Sequence, residues 1–182
     1  MSVKNKPWLR TPIVTAVREQ LEHRAYWMWL LVDEAEKHGL AGDDFAPDAI
    51  KRCGLDHGAR HMKKGGKGNS LRGLKKALFG PFAQLVFEMK ILRCDDDHFD
   101  LDFHYCPLVA AWQKAGCSDE DISRLCDYAM CGDRGIGEAF GVELDLPKTI
   151  GRGDGKCELR YIRRTVPVSE DIHECKATKI SK

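Results

Sequence analysis

The feature that most constrains the fold is an apolar stripe running through the first long segment of the chain, from about Pro12 to His38. It recurs at spacings of three, four and seven residues, through Val14, Val17, Leu21, Met28, Leu31 and Ala35. This period is typical of an amphipathic helix. Thr11 followed by Pro12 predicts the start of the helix, and Gly39 predicts its end. The aromatic and methionine residues at 26–29 widen the stripe, so we expect this helix to be buried on more than one side.

The next part of the chain combines helices with a hairpin. A second helix is predicted from Pro47 to about His61, and the glycines and lysines of residues 63–70 predict a flexible basic loop. A short helix near 71–78 precedes two strands at 85–93 and 98–105, which three consecutive aspartates connect.

Two more helices and two more strands follow the hairpin. One helix starts at Pro107 and ends near Ala115, and Ser118 followed by acidic residues predicts the capped start of the next. Strands are predicted at 142–150 and 156–163, with a glycine-rich turn between them. The glycines that we expect to loosen the preceding helix are Gly132, Gly135 and Gly137.

These elements predict an α+β fold in which an N-terminal helical layer packs on a mostly antiparallel sheet of about four strands. A length of 182 residues fits a single domain. Within it we predict a helical part at 1–80 and a part at 81–164 that holds the strands and the chemistry-bearing motifs. Residues 165–182 are predicted to form a polar tail.

Charge and composition disfavour several kinds of partner. The chain has 29 Lys and Arg against 28 Asp and Glu, so its net charge of +1 gives no electrostatic reason to bind nucleic acid or an anionic membrane. The longest apolar run, residues 25–32, is too short to cross a bilayer. The N-terminal residues lack the apolar segment of a signal peptide, so we predict a cytoplasmic protein. The expected partner is a small-molecule substrate, and a homo-oligomer is compatible with these numbers.

Three of the eight cysteines lie at the edges of regular elements or beside charged residues, where a scaffold can hold a thiol within reach of a substrate. They are Cys106, Cys126 and Cys157. Cys106 precedes a predicted helix, so the helix dipole predicts a lowered pKa for its thiol. Cys157 shares one strand face with Leu159 and Tyr161, and that face is predicted to point to the core. The alternative interpretation of each cysteine is a small buried apolar residue.

A carboxylate and a histidine accompany these thiols. Asp127 follows Cys126 within a helix, where it is either a general acid or base or a solvated side chain. His104 and Cys106 share a strand face, and adding Cys126 or Cys157 gives a conceivable zinc ligand set. We predict no cofactor and keep that metal site as the alternative.

The order of these motifs resembles that of the L-2-amino-thiazoline-4-carboxylic acid hydrolase family. The resemblance covers about residues 85–163 and rests on the segments FHYCPLVAAWQKAGCSDEDISRLCDYAM and LPKTIGRGDGKCELRY. The second segment contains the pattern T-I-x-x-G-x-x-x-C-[DE]-[FL]-R, formed here by Thr149, Ile150, Gly153, Cys157, Glu158, Leu159 and Arg160. Many members carry a cysteine where this chain has Arg124, three residues before the acid that matches Asp127.

The resemblance implies a hydrolase that opens a C–N bond of a small cyclic amidine or isothiourea such as L-2-amino-thiazoline-4-carboxylate. It implies Cys106 as the nucleophile, Asp127 as the amidinium partner or proton shuttle, and Cys157 as a second thiol of the pocket.

The same resemblance implies substrate-binding residues in the second segment. Arg160 would pair with the substrate carboxylate through its planar guanidinium, although Glu158 offers it a partner within the chain. Thr149 and Gly153 would complete the substrate site. The competing interpretation is a non-catalytic sensor module that binds a small molecule or a metal through the same cysteines.

Overall fold

A computed structural model describes residues 3–63 and 70–164. Within these ranges the chain forms six α-helices and four β-strands. The helices are α1 (Pro12–Lys37), α2 (Ala46–Lys63), α3 (Leu71–Leu78), α4 (Pro81–Phe87), α5 (Pro107–Lys114) and α6 (Asp119–Ala139). The strands are β1 (Met89–Cys94), β2 (His98–Phe103), β3 (Val142–Lys148) and β4 (Cys157–Arg163). Single 3-10 turns lie at Gly42–Asp44 and Ile150–Arg152. Most of the predicted basic loop, residues 64–69, lies outside the described ranges.

The four strands form one antiparallel sheet in the order β1-β2-β4-β3. In its central pair Phe99 lies opposite Tyr161, and Leu101 lies opposite Leu159. All four of these side chains are buried, because they share the face of the sheet that the helices cover. The predicted α+β fold with an antiparallel four-stranded sheet is therefore confirmed.

The ends of α1 follow the predicted capping signals. The Thr11 hydroxyl accepts a hydrogen bond from the Val14 N–H at 3.3 Å, and Pro12 occupies the first turn. Gly39 has a φ of 84°, a left-handed conformation that suits glycine just after a helix.

The prediction that α1 is buried on more than one side is wrong. Its buried residues are Val14, Arg18, Ala25 and Val32, which form one narrow stripe at spacings of four and seven. Trp27 is 61% exposed and Leu31 is 65% exposed on the other side of the helix. The apolar surface of α1 is therefore wider than the stripe that the rest of the chain covers.

The glycines of α6 do not loosen that helix, contrary to our prediction, because α2 packs against its backbone. A Cβ atom added at Gly54 would lie 2.0 Å from the Gly132 carbonyl oxygen, and one added at Gly135 would lie 2.4 Å from the Lys51 carbonyl oxygen. Such approach is open only to glycine. These residues therefore permit close helix packing, and α6 continues to Ala139.

The first predicted hairpin strand begins too early. Residues 85–87 belong to α4, which starts with Pro81 at its first position. Glu88 ends this helix in a left-handed conformation with a φ of 52°, and β1 begins only at Met89. The apolar residues of 85–87 fit either a helix or a strand, so their pattern alone does not distinguish the two.

A buried ion pair ties α1 to the end of α4. The Arg18 Nη2 atom lies 3.1 Å from Glu88 Oε1, and the two side chains are 5% and 1% exposed. The same carboxylate oxygen accepts hydrogen bonds from the N–H groups of Trp8 and Leu9, both at 2.9 Å. The guanidinium lies 4.2 Å from the centre of the Tyr105 ring. The residues before α1 are thereby fixed beside the start of α5.

Across the described ranges, none of the helices has the length and apolar character needed to span a membrane.

Candidate functional site

A 3-10 turn between β3 and β4, Ile150–Arg152, packs against two buried thiols. Thr149 caps the turn, since its hydroxyl accepts a hydrogen bond from the Arg152 N–H at 3.2 Å. Gly153 ends it with a φ of 90°. The Asp154 carboxylate accepts a hydrogen bond from the Thr149 N–H at 2.9 Å and holds the turn in place. Two predicted site residues, Thr149 and Gly153, therefore shape this turn.

Cys126 and Cys157 lie on the two sides of the turn. A Cβ atom added at Gly151 would lie 2.8 Å from the Cys126 sulfur, so only glycine allows the turn to approach α6 this closely. The Ile150 N–H donates a hydrogen bond to the Cys157 sulfur at 3.3 Å. Both thiols are free and buried, and Cys157 faces the core beside Leu159 as the strand pattern predicts.

Cys106 is the residue that caps α5, as predicted. The side-chain amide of Asn5 makes two hydrogen bonds to the Cys106 backbone. Its Nδ2 donates to the Cys106 carbonyl at 2.8 Å, and its Oδ1 accepts from the Cys106 N–H at 2.9 Å. Burial raises the pKa of the Cys106 thiol to about 11, although the N–H groups of Leu108 and Val109 act in the opposite direction. The expectation of a lowered pKa is therefore wrong, because desolvation outweighs the start of the helix.

Cys106 affects the pKa values of the other two thiols. Burial raises the pKa of Cys126 to about 12, and the charge of Cys106 contributes in the same direction. Burial also raises the pKa of Cys157 strongly, with further contributions from the charges of Cys126 and Cys106. The predicted trio is thus brought together, and all three are neutral thiols at neutral pH.

Asp133, on α6, is a candidate site residue that the sequence analysis does not predict. It lies seven residues after Cys126 and so on the same face of the helix. Burial raises the pKa of its carboxyl to about 6, although Arg24 and Arg134 oppose the shift. The glycines of this segment predict a loosened chain, so residue 133 is not treated as helical in the sequence analysis. The seven-residue spacing from Cys126 is the signal that identifies Asp133 once the helix is known to continue.

The charge of Asp133 changes the pKa values of two of the thiols and of a tyrosine. It raises the pKa values of Cys106, Cys157 and Tyr161. The Tyr161 hydroxyl is buried and makes no hydrogen bond to any residue of the described chain. Cys106, Cys157 and Tyr161 are buried and Asp133 is partly exposed, and these four electrostatically coupled groups make up the candidate cluster.

Arg24 is a cation whose charge affects both Cys106 and Asp133. Its positive charge lowers the pKa values of Cys106 and Asp133, so it stabilises the charged form of each. Its side chain is exposed on α1 and makes no ion pair with residues 3–63 or 70–164. The sequence offered no signal for this role, because Arg24 lies about eighty residues before the nearest of these thiols.

Asp127 has a partner of its own. Its Oδ1 atom lies 2.7 Å from Arg152 Nη2, and the two side chains are 12% and 29% exposed. This ion pair links α6 to the 3-10 turn at the residue next to Cys126. The structure thus places Asp127 beside the thiols but with its carboxylate bound to arginine.

Arg160 lies on the face of the sheet opposite to Cys157, because neighbouring residues of a strand alternate in direction. It pairs with Asp102 Oδ1 at 2.9 Å and with Glu158 Oε2 at 3.3 Å. It also donates a hydrogen bond to the Leu101 carbonyl at 2.9 Å. The structure therefore does not bring Arg160 to the thiols. Glu158, the partner that the sequence offered, is one of two carboxylates that pair with it, and Asp102 is the closer.

The alternative metal site is not assembled. The His104 ring packs against Trp8 in a tilted arrangement, with ring centres 5.3 Å apart and an angle of 48° between the ring planes. Among the residues that the structure describes, no three His, Cys, Asp or Glu side chains are arranged to hold a metal ion. The set of His104, Cys106, Cys126 and Cys157 is therefore not a ligand shell here.

Comparison with known proteins gives one match. The sequence model of a family described as L-2-amino-thiazoline-4-carboxylic acid hydrolase matches residues 18–161. No curated protein and no solved structure matches the chain at a significant level.

Proposed function

The chain belongs to the L-2-amino-thiazoline-4-carboxylic acid hydrolase family, and on that premise we propose that it opens the ring of this compound or of a close cyclic isothiourea. The observation that carries the proposal is the cluster in which the charge of the partly exposed Asp133 raises the pKa values of the buried Cys106, Cys157 and Tyr161. The family gives the reaction class, and the cluster supplies the nucleophile and the proton carrier that such a reaction needs.

We assign Cys106 as the nucleophile and Asp133 as its base. A thiol with a pKa of about 11 is protonated at pH 7, so attack requires a group that removes the proton during the reaction. A carboxyl with a pKa of about 6 is mostly ionised at pH 7 and is still a competent proton acceptor and donor. Cys157 and the Tyr161 hydroxyl complete the wall around the reacting carbon.

The chemistry balances in two steps. In the first, the Cys106 sulfur bonds to the carbon that joins the ring sulfur to two nitrogens, and the thiol proton passes to Asp133. The ring C–N bond then breaks and the ring nitrogen leaves as a primary amine, taking one proton from Asp133 and one from the exocyclic amino group, which stays on the carbon as an imine. In the second step water attacks the same carbon, and Cys106 leaves as a thiol. The product is S-carbamoyl-cysteine, which is heavier than the substrate by one water.

We assign the substrate carboxylate to Arg24. It is exposed and makes no ion pair with the described part of the chain, whereas the carboxylates of Asp102 and Glu158 hold Arg160. Guanidinium and carboxylate match in a two-point fork. Asp127, with Arg152, then positions the 3-10 turn and the Thr149 and Gly153 backbone around the thiols.

The test is mass spectrometry of purified protein incubated with L-2-amino-thiazoline-4-carboxylate. We expect a product heavier by one water from the wild type and none from Cys106→Ala. Cys94→Ala is the matched control, because Cys94 is a half-buried free thiol on β1, which β2 separates from the strand that carries Cys157 and Tyr161. Thiol titration of the product identifies the broken bond: C–N cleavage releases no thiol, whereas C–S cleavage releases one. A wild type that leaves the compound unchanged contradicts the proposed substrate.

The role of Asp133 has its own readout. We expect kcat/KM to rise with pH and to level off above about pH 6, because Asp133 must be ionised to accept the thiol proton. Asp133→Asn should lose both the activity and this limb of the profile. Retention of the limb in the variant would assign it to another group.

A further inference from the structure

The outer face of α1 is exposed and regular, with apolar residues at its centre and polar residues at both ends. It is defined by Gln20, His23, Trp27, Leu30, Glu34 and Lys37, which recur at spacings of three and four and are all exposed. Spacings of this kind place residues along one seam, as in a two-stranded coiled coil. Tyr26 and Leu31 flank the seam at its centre, with 41% and 65% exposure. The seam lies opposite the stripe that α1 buries against its own chain.

We infer that this outer face binds the same face of a second copy, with the two α1 helices antiparallel. Tyr26, Trp27, Leu30 and Leu31 are clustered within six residues, and clustered apolar side chains of this size on a surface mark an interaction site. In a two-fold arrangement centred between Trp27 and Leu30, each Trp27 packs beside the partner's Leu30. The apolar residues then form the middle of the interface.

The charges on the outer face are self-complementary only in the antiparallel direction. Glu19, which borders the face, and His23 lie towards its N-terminal end. Glu34 and Lys37 lie towards its C-terminal end, where the exposed Lys37 also pairs with Asp33 at 2.7 Å and with Glu34 at 3.4 Å. An antiparallel pair brings Glu19 to the partner's Lys37 and His23 to the partner's Glu34. A parallel pair would bring each Glu34 to the partner's Glu34, which is repulsive.

The exposed area fits a small specific interface. At 61% and 41% exposure, the two aromatic side chains leave roughly 200 Å² of accessible surface, and the two leucines add a similar area. Two copies would therefore remove roughly 800 Å² of mainly apolar surface from water, and the flanking polar residues would bring the total to roughly 1,200 Å². This is the lower end for specific complexes, so we expect a dissociation constant in the micromolar range.

The charge of α1 favours a second copy over a lipid surface. Between Pro12 and Lys37 the helix carries five acidic and three basic residues, a net charge of −2. Helices that lie on anionic membranes are instead rich in lysine and arginine on their polar face.

Sedimentation velocity of the full chain from about 1 to about 200 µM tests this inference, a range that brackets micromolar affinity. We expect a reversible monomer–dimer equilibrium for the wild type and a monomer for Leu31→Glu. Leu40→Glu is the matched control, because Leu40 is 60% exposed but lies beyond the end of α1. A wild type that stays monomeric throughout, or Leu31→Glu and Leu40→Glu variants that dimerise equally, would overturn the inference. So would a monomer that binds phosphatidylcholine vesicles through Leu31.

A charge swap tests the direction of the helices. Glu19→Lys alone should weaken the dimer roughly 3- to 30-fold, because two symmetric exposed pairs become repulsive. The double variant Glu19→Lys with Lys37→Glu should restore most of the affinity. A double variant that dimerises more weakly than Glu19→Lys alone would exclude the antiparallel pairing.

Discussion

Replacing Asp133 with asparagine should stabilise the protein at high pH and leave it unchanged at low pH. Burial raises the pKa of this carboxyl from 3.8 in the unfolded chain to about 6 in the folded chain. Between these values the folded state binds more protons than the unfolded state, so stability falls as pH rises. A shift of about two units at 1.36 kcal/mol per unit corresponds to about 3 kcal/mol. The folded state carries this full penalty above about pH 6.

Asparagine resembles the neutral carboxylic acid in shape but has no charge to bury. We therefore expect Asp133→Asn to be more stable than the wild type by up to about 3 kcal/mol at pH 8. At pH 4, close to the unfolded pKa, the difference should almost vanish, because the wild-type carboxyl is protonated in the folded state. Urea denaturation followed by circular dichroism at pH 4, 6 and 8 measures the free energy of unfolding of both proteins.

Asp127→Asn is the matched control, because it changes the same side chain on the same helix. Asp127 is bound to Arg152 at 2.7 Å, so its loss should leave the protein equally stable or less stable at pH 8. The reasoning about burial is refuted if Asp133→Asn gives no stabilisation at pH 8. It is also refuted if the gain is equally large at pH 4, since that gain could not come from ionisation.

Two further substitutions test the packing that supports the site. Gly135→Ala should destabilise the protein by roughly 1–3 kcal/mol, because the new Cβ would meet the Lys51 carbonyl oxygen at 2.4 Å. Gly80→Ala, where a Cβ meets nothing within 4 Å, should stay within about 0.5 kcal/mol of the wild type in the same urea titration. Arg18→Met should cost roughly 3–5 kcal/mol, because it leaves Glu88 buried without its cation. Adding Glu88→Gln should recover part of that loss, and a double variant at least as unstable as the sum of the single variants would contradict the ion-pair explanation.

Local signals in the sequence were sufficient for most of the fold. Thr11 and Ser118 each accept the predicted capping hydrogen bond, and α3 spans the predicted residues 71–78. Caps and periodicity act within a few residues, so the sequence displays them directly. The error at residues 85–87 arose because three apolar residues in a row carry no period.

The glycines of α6 show where local reasoning was insufficient. Gly132 and Gly135 weaken a helix taken alone, yet here they allow the backbone of α2 to approach. That approach depends on Gly54, which lies far away in the sequence. Tertiary packing therefore makes these glycines favourable in α6, although they disfavour a helix taken alone. A single sequence does not display such contacts.

The candidate site was predicted only in part, again because a single sequence does not display contacts between distant residues. Cys106, Cys126 and Cys157 could be selected by their positions at the edges of elements, and the structure brings them together. The direction of the pKa shift at Cys106 could not be predicted, because it depends on how deeply the thiol is buried. The placement of Arg160 could not be predicted for a different reason. The motif includes it, but the alternation of side chains along β4 places it on the face of the sheet opposite to Cys157.

The packing of α2 and the chemistry of the site depend on the same stretch of α6. Asp133 lies between Gly132 and Gly135, the two positions at which α2 approaches the helix backbone. A carboxyl with a raised pKa is unfavourable to bury as an anion, so its position must be maintained by contacts that do not involve its charge. Backbone contacts between two helices are suited to this, because they are rigid and independent of pH. On this argument Gly135→Ala should alter the pH dependence of activity as well as stability, since moving α6 changes the burial of Asp133.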